Sequence, residues 1–463
     1  MTMATTRLAA AERLLDGYAA ELSERTPCSY ALYQKAQRLL PGGTGRNATA
    51  FWPYPIYARA GEGPHLVDLD GNRYVDLSLD GGACILGHAP PALLNVLRDQ
   101  AGRGMLLAMA TEAEVMLAER LNQRMPFLEM MRFLNTGSEP EQIGLRIARA
   151  FTRRPKIAKV EGHHHGQSDF VLFSHIAEVA GPDHAPKSVA DDAGLPPQLA
   201  ELVVTLPFNN TEAAVALIEQ HAGELAAVLI EPLMLWGGAV PAEADYFQAI
   251  RDVTQRLGIV LIVDEVPLGV RFGPGGAVSE YGITPDIWTT GKALFGGIAH
   301  GLLGGRHDIF DKVVTPPFDP RTKVFCSGTF SANPLAIGAA HVVLDELADG
   351  SAVAYMDRLS ERLRQNLRTL GQSLDLPLQV TGTHSIFAIH FSEQPIRNFR
   401  DVMAGHRGFR RAFYTGLMAR GVLWPPGRPS GFVSTAHTDA DIDRVLEAAE
   451  SVLRDIRTVW HDN

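Results

Sequence analysis

The chain has 463 residues, 46% hydrophobic and 20% charged, which is enough to bury a sizeable core and to divide into two or three domains. A formal charge of −10 with no Lys/Arg stripe argues against a nucleic-acid partner. No stretch resembles a membrane span, and the first residues lack the long apolar segment of a secretory signal, so a cytoplasmic location is expected. Cys28, Cys84 and Cys326 are few, scattered and odd in number, a pattern of buried small hydrophobes rather than of a disulfide framework or a cysteine metal site.

Leu8, Leu14, Leu15, Ala19 and Leu22 recur at helical spacing and predict an amphipathic helix over residues 7 to 24. A second helix is expected over 30 to 40, stopped by Pro41, Gly42 and Gly43, after which comes an irregular segment containing Arg46. The dipeptide Asp70-Gly71 lies between Leu66-Val67 and Tyr74-Val75, and such a turn closes a hairpin, so residues 56 to 77 read as a small antiparallel meander. His88 invites a catalytic reading, but a packed, hydrogen-bonded histidine is the preferred one.

Residues 132 to 150 read as a short strand ending at Asn135, a turn through Gly137, and a helix marked by Ile143, Leu145, Ile147 and Ala150. Unpaired backbone N–H groups and the dipole at a helix start bind anions. Gly137 permits close approach and Ser138 adds a hydroxyl, so a phosphate fits, although Thr-Gly-Ser is also an ordinary helix cap. His163, His164 and His165 suggest a metal, but consecutive side chains diverge in a strand or a helix, so no metal is expected. Residues 168 to 200 show little periodicity and read as a flexible insertion over the site.

Residues 202 to 206 and 226 to 230 predict two more buried strands, the second followed by Glu231. Ile259, Val260, Leu261, Ile262 and Val263 form an uninterrupted apolar run closed by Asp264, the pattern of a parallel strand buried on both faces. Ligands of such sheets bind at the carboxyl ends of the strands, where Glu231 and Asp264 stand. Lys292 follows a Thr-Thr-Gly turn, with Gly296 and Gly297 leaving room beside it. A lysine amine condenses with a carbonyl, and pyridoxal phosphate sites pair such a lysine with an acid on the ring nitrogen; a structural Asp–Lys ion pair is the plain alternative. Thr329 sits in what reads as a loop before a helix cap at Asn333 and Pro334. From residue 337 onward, long helices and an apolar run over 385 to 390 suggest a smaller α+β domain ending in a helix over 439 to 456.

These residues resemble the class III, fold-type I, pyridoxal-phosphate-dependent aminotransferases, in the branch that includes glutamate-1-semialdehyde aminomutase. The matching stretches run from Asn135 to Glu139, Gly162 to Gly166, Asp264 to Val266 with Gly269 and Arg271, Tyr281 to Asp286, Thr290 to Lys292, Gly304 to Arg306, and Gly328 to Pro334. The resemblance implies an α/β fold with a large, doubly wound, mostly parallel sheet domain over 76–336, a smaller α+β domain over 337–463, and an N-terminal segment over 1–75 that packs with it.

It further implies that pyridoxal 5'-phosphate is carried by Lys292, with Asp264 on the ring nitrogen, Gly137 and Ser138 on the phosphate, and His164 on the ring face where the family has an aromatic residue. His165 matches the family's histidine, and Glu231 joins the cofactor-binding candidates. Thr329 is expected to reach the cofactor phosphate of a neighbouring subunit, which makes the active unit a homodimer. Arg46, and Arg428 in the small domain, are the candidates for gripping a substrate carboxylate, chemistry that suits the two-pronged guanidinium.

The function expected first is transfer of an amino group between an amino acid, with β- and D-amino acids among the candidates, and a keto acid. Intramolecular transfer of the glutamate-1-semialdehyde type is second, an amino-acid racemase third, and a non-enzymatic binding protein the reading from another class.

Overall fold

A computed structural model describes residues 3–176, 178–424 and 429–461 of the chain. Its centre is a seven-stranded sheet in the order Met130–Leu134, Gly301–Gly305, Ile287–Gly291, Val260–Asp264, Leu225–Ile230, Lys156–Val160 and Val203–Leu206. Six of these strands run in one direction, and Gly301–Gly305 lies antiparallel to both of its neighbours. Leu225–Ile230 and Val260–Asp264 are buried along their whole length, so both faces must be apolar. This is why they appear in the sequence as unbroken hydrophobic runs.

Helices cover both faces. Ser138–Thr152 turns Ile143, Leu145 and Ile147 toward the interior, and Ala244–Leu257 does the same with Tyr246, Phe247 and Ile250. The stacking leaves every parallel strand with its carboxyl end on one edge of the sheet, where the connecting loops gather.

The smaller part is built on a three-stranded antiparallel sheet, Leu378–Thr381, Ile386–Phe391 and Ser430–Phe432, with the helices Ser351–Ser373, Arg407–Ala419 and Asp439–His461 around it. The N-terminal segment is stitched to it. Ala58–Glu62, His65–Asp68 and Arg73–Asp76 form the meander, and Val422–Leu423 adds a fourth, parallel strand to Arg73–Asp76. Asp68 fixes the hairpin turn by accepting from the backbone N–H groups of Asp70 and Asn72. The first helix, Met3–Arg25, lies on Arg407–Ala419, and the contact is close because Gly416 leaves room for the Tyr18 ring. His88 is a structural residue: its Nε2 pairs with Asp76 at 2.8 Å, and although burial opposes the charge, that bond pushes its pKa up to about 10.

The segment over 168–200 carries little regular structure, yet it packs. Val171 and Phe173 are buried, and Phe173 forms a bridge with Ala190. Apolar anchors at irregular spacing escape a periodicity test, which explains why the sequence reads as a loose insertion. Among the described residues no helix is long and apolar enough to cross a membrane.

Candidate active site

A cavity of about 430 Å³ opens at the carboxyl ends of the parallel strands. Its floor at one side is the start of helix Ser138–Thr152. Gly137 there has φ −66, an ordinary value, so glycine is needed for space: a Cβ would come within 2.5 Å of Val266 Cγ1. Gly166 is likewise hemmed in by Ser138 Oγ at 2.5 Å from its virtual Cβ. No side chain caps the helix start, so its first N–H groups and the Ser138 hydroxyl make a cradle for an anion.

Lys292 follows strand Ile287–Gly291 directly and is held at φ 41, a left-handed value that lysine rarely adopts and that concentrates at functional sites. Its Nζ lies 5.9 Å from the centre of the Trp236 ring. Asp264 ends its strand on the same cavity and is buried. Burial drives its pKa up to about 6, opposed by a 2.8 Å bond from the Val266 N–H and by the charge of Lys292. His165 Nδ1 lies 2.8 Å from the other carboxylate oxygen, and burial holds this imidazole well below its usual pKa, so it donates as a neutral ring.

A second buried carboxyl stands beside this pair. One oxygen of Glu141 accepts from the Thr289 hydroxyl, the other has no hydrogen-bond partner among the described residues, and ligand atoms of Glu141, His165 and Asp264 fall within 4.8 Å of one another. Burial and the Asp264 charge raise the Glu141 pKa well above the carboxyl range. Two full charges at that distance would repel by about 3 kcal/mol at an effective dielectric constant of about 20, so Glu141 is the one that keeps its proton.

The three histidines separate in role. The strand ends at Val160 and Gly162 turns the chain at φ 85, so the alternation expected of a strand does not apply. Ligand atoms of His163, His165 and Glu231 converge within 4.8 Å. The Nδ1 atoms are already engaged, His163 by the Glu231 N–H and His165 by Asp264. Glu231 does not line the cavity; it accepts from the His164 and Leu235 N–H groups and so fixes the His164 backbone. The His164 ring does line it, and its Nδ1 meets His175 Nε2 at 2.9 Å, while His175 Nδ1 meets Asp191 at 2.6 Å. Burial keeps both rings neutral. Asp191 can only accept, so His175 carries its proton on Nδ1 and accepts on Nε2 from His164, whose own Nε2 is left as an acceptor.

Arg46 lines the mouth of the cavity, but its guanidinium is engaged with Asp80 at 2.9 and 3.0 Å. Thr329 is exposed and does not line the cavity of its own chain. Arg428 lies outside the described residues.

Residues 48–452 match the family profile described as aminotransferase class-III. The chain belongs to the class III aminotransferases. It is 37% identical over 430 residues, 93% of this chain and 99% of the relative, to a glutamate-1-semialdehyde 2,1-aminomutase of Methanothermobacter thermautotrophicus. Among solved structures, an omega-transaminase from Sphaerobacter thermophilus superposes with a TM-score of 0.87 at 35% identity, covering 93% of this chain and 98% of that one. A β-phenylalanine aminotransferase from Variovorax paradoxus gives 0.85 at 29%, covering 95% and 97%.

As a class III aminotransferase the chain is a pyridoxal-phosphate enzyme of fold type I, and its cavity fits that group. The uncapped helix start, with glycines where a Cβ would intrude, suits a phosphate; the amine of Lys292 suits an aldehyde; and the buried Asp264 carboxyl, ending its strand on the same cavity, suits a protonated ring nitrogen. Glu141, His175 and Asp191 were not singled out from the sequence. For Glu141 there was a signal: it falls on the buried face of its helix with Leu145 and Ala148.

Proposed function

We propose that this class III aminotransferase moves an amino group between a carboxylate-bearing amino compound and a keto acid, with Lys292 and Asp264 as its catalytic pair. The observation that carries this is the arrangement of Lys292 and Asp264 on one cavity with an open anion cradle at Gly137 and Ser138. Bound there, pyridoxal phosphate supplies an aldehyde that accepts the amino group and a ring that takes up the electron pair left by proton removal. Lys292 Nζ takes the proton from the substrate carbon bearing the amine. Asp264, supported by His165 and by the Val266 N–H, holds a proton on the ring nitrogen. His164, set by Glu231 from the backbone side and by His175 from the ring side, would support the face of the bound ring. Arg46 stands at the cavity mouth with its guanidinium held by Asp80.

The same reading makes the working unit a homodimer in which Thr329 serves the partner's cofactor. Met105, Leu107, Met109, Phe325 and Phe330 are large, apolar and at least 46% exposed, as buried interface residues are in a lone subunit.

Intramolecular transfer of the glutamate-1-semialdehyde type is the second reading, favoured by the 37% identical relative. Purified holoenzyme offered a panel of amino compounds decides. Loss of the visible cofactor band, restored only by an added keto acid, with a new amino acid formed, supports intermolecular transfer. Turnover without any acceptor to an isomer of the substrate supports the second reading, and interconversion of enantiomers without loss of the band would overturn both.

A further inference from the structure

The helix Arg407–Ala419 buries Phe413, Tyr414 and Leu417, and Arg410 lies one turn before them on that same stripe. A cation on an apolar stripe is carried inward; Arg410 is half-buried, and a guanidinium so placed ordinarily meets a carboxylate. The neighbouring arginines have partners: Arg400 takes Glu161 and Asp183, Arg7 takes Glu393, and Arg411 lies over the Trp52 ring. The Arg410 guanidinium makes no hydrogen bond or ion pair among the described residues. It lines a cavity of about 310 Å³ shared with His164, Trp236, Val402, Met403 and Arg407, and a second of about 330 Å³. Among the described residues no carboxylate lines either one. His164 and His175 are kept neutral by burial, so the charge facing the first cavity is that of the two arginines.

This space adjoins the reaction centre. His164 lines both it and the cavity that holds Lys292, and Trp236, on its wall, is the ring beside which Lys292 Nζ stands at 5.9 Å. We infer that Arg410, with Arg407 at the rim, forms a carboxylate-binding subsite that selects anionic amino donors and keto acids over uncharged amines. The inference rests on the amino-transfer reading and gives it a substrate class. It also assigns the grip to an arginine other than Arg46 or Arg428. The planar fork matches a carboxylate in two hydrogen bonds, which lysine cannot reproduce.

The test uses holoenzyme and two readouts. Glutarate, which carries neither amine nor carbonyl, is titrated calorimetrically into wild type, Arg410→Lys and Arg410→Met. Binding is expected to weaken in that order, by at least about tenfold for Arg410→Met. The rate of cofactor-band loss is then measured with amino acids and with uncharged aryl-alkyl amines; the loss in kcat/KM on Arg410→Met is expected to be at least about tenfold greater for the amino acids, through KM. Equal glutarate binding by wild type and Arg410→Met, or equal losses for both donor classes, overturns the subsite. If no amine changes the wild-type band, the amino-transfer reading fails, while loss of glutarate binding in Arg410→Met still upholds the anion site.

Discussion

His165 Nδ1 lies 2.8 Å from Asp264 Oδ2, and neither side chain reaches solvent. A neutral imidazole donor stabilises the ionised carboxylate against a burial that pushes its pKa up to about 6. Asp264→Asn removes the charge while keeping the shape. The variant is expected to bind cofactor through Lys292 and the Gly137 cradle but to slow the first half-reaction by roughly 10³-fold. Single-turnover absorbance on the reconstituted variant measures it, and a rate within threefold or so of wild type would remove Asp264 from its role.

Glu141 offers a test that needs no substrate. Its folded-state pKa is raised well above the ordinary 4.5, first by burial and then by Asp264. The folded form therefore binds more protons than the unfolded one above pH 4.5 or so, and stability falls as pH rises toward the folded value. Each pH unit in that window removes about 1.4 kcal/mol. Glu141→Gln abolishes this one contribution. Thermal unfolding of the cofactor-free proteins should show the variant gaining on wild type between pH 5 and 7; a difference that does not change with pH would mean that Glu141 is ionised throughout.

Much of this was legible in the sequence because burial on both faces forces apolar runs. Val260–Asp264, the hairpin turn at Asp70 and the helix start after Gly137 all follow from local rules. Glu141 and Arg410 were not read, since their meaning depends on what packs across from their helices, although each is an ionisable side chain on an otherwise apolar stripe. His175 and Asp191 were hidden for another reason. They lie in the segment over 168–200, where isolated anchors such as Phe173 replace periodicity.

Asp191 holds that segment together. It accepts from the N–H groups of His175 and Ile176 and from the His175 ring. Replacing it with alanine leaves the half-buried His175 N–H donors unsatisfied and is expected to destabilise the protein by about 1–3 kcal/mol. It also releases the tautomer imposed on His164. Faster proteolysis within 168–200, together with a changed pH profile of the first half-reaction, is the expected outcome; an unchanged profile would show that the His164 ring is set by something else.

The exposed position of Thr329 leads to the last prediction. If it serves the partner's cofactor, Lys292→Ala and Thr329→Val damage different sites of a dimer. In a hybrid of the two, one site carries both lesions and the other has an intact Lys292 facing an intact Thr329. Each homodimer should be severely impaired, yet random mixing after subunit exchange should recover roughly a quarter of wild-type activity, because half the dimers are hybrids with one sound site of two. A Thr329 acting within its own chain would give one singly damaged site of each kind and no recovery. Activity of the mixture, set against the same proteins assayed before exchange, therefore reads out which subunit's cavity Thr329 belongs to.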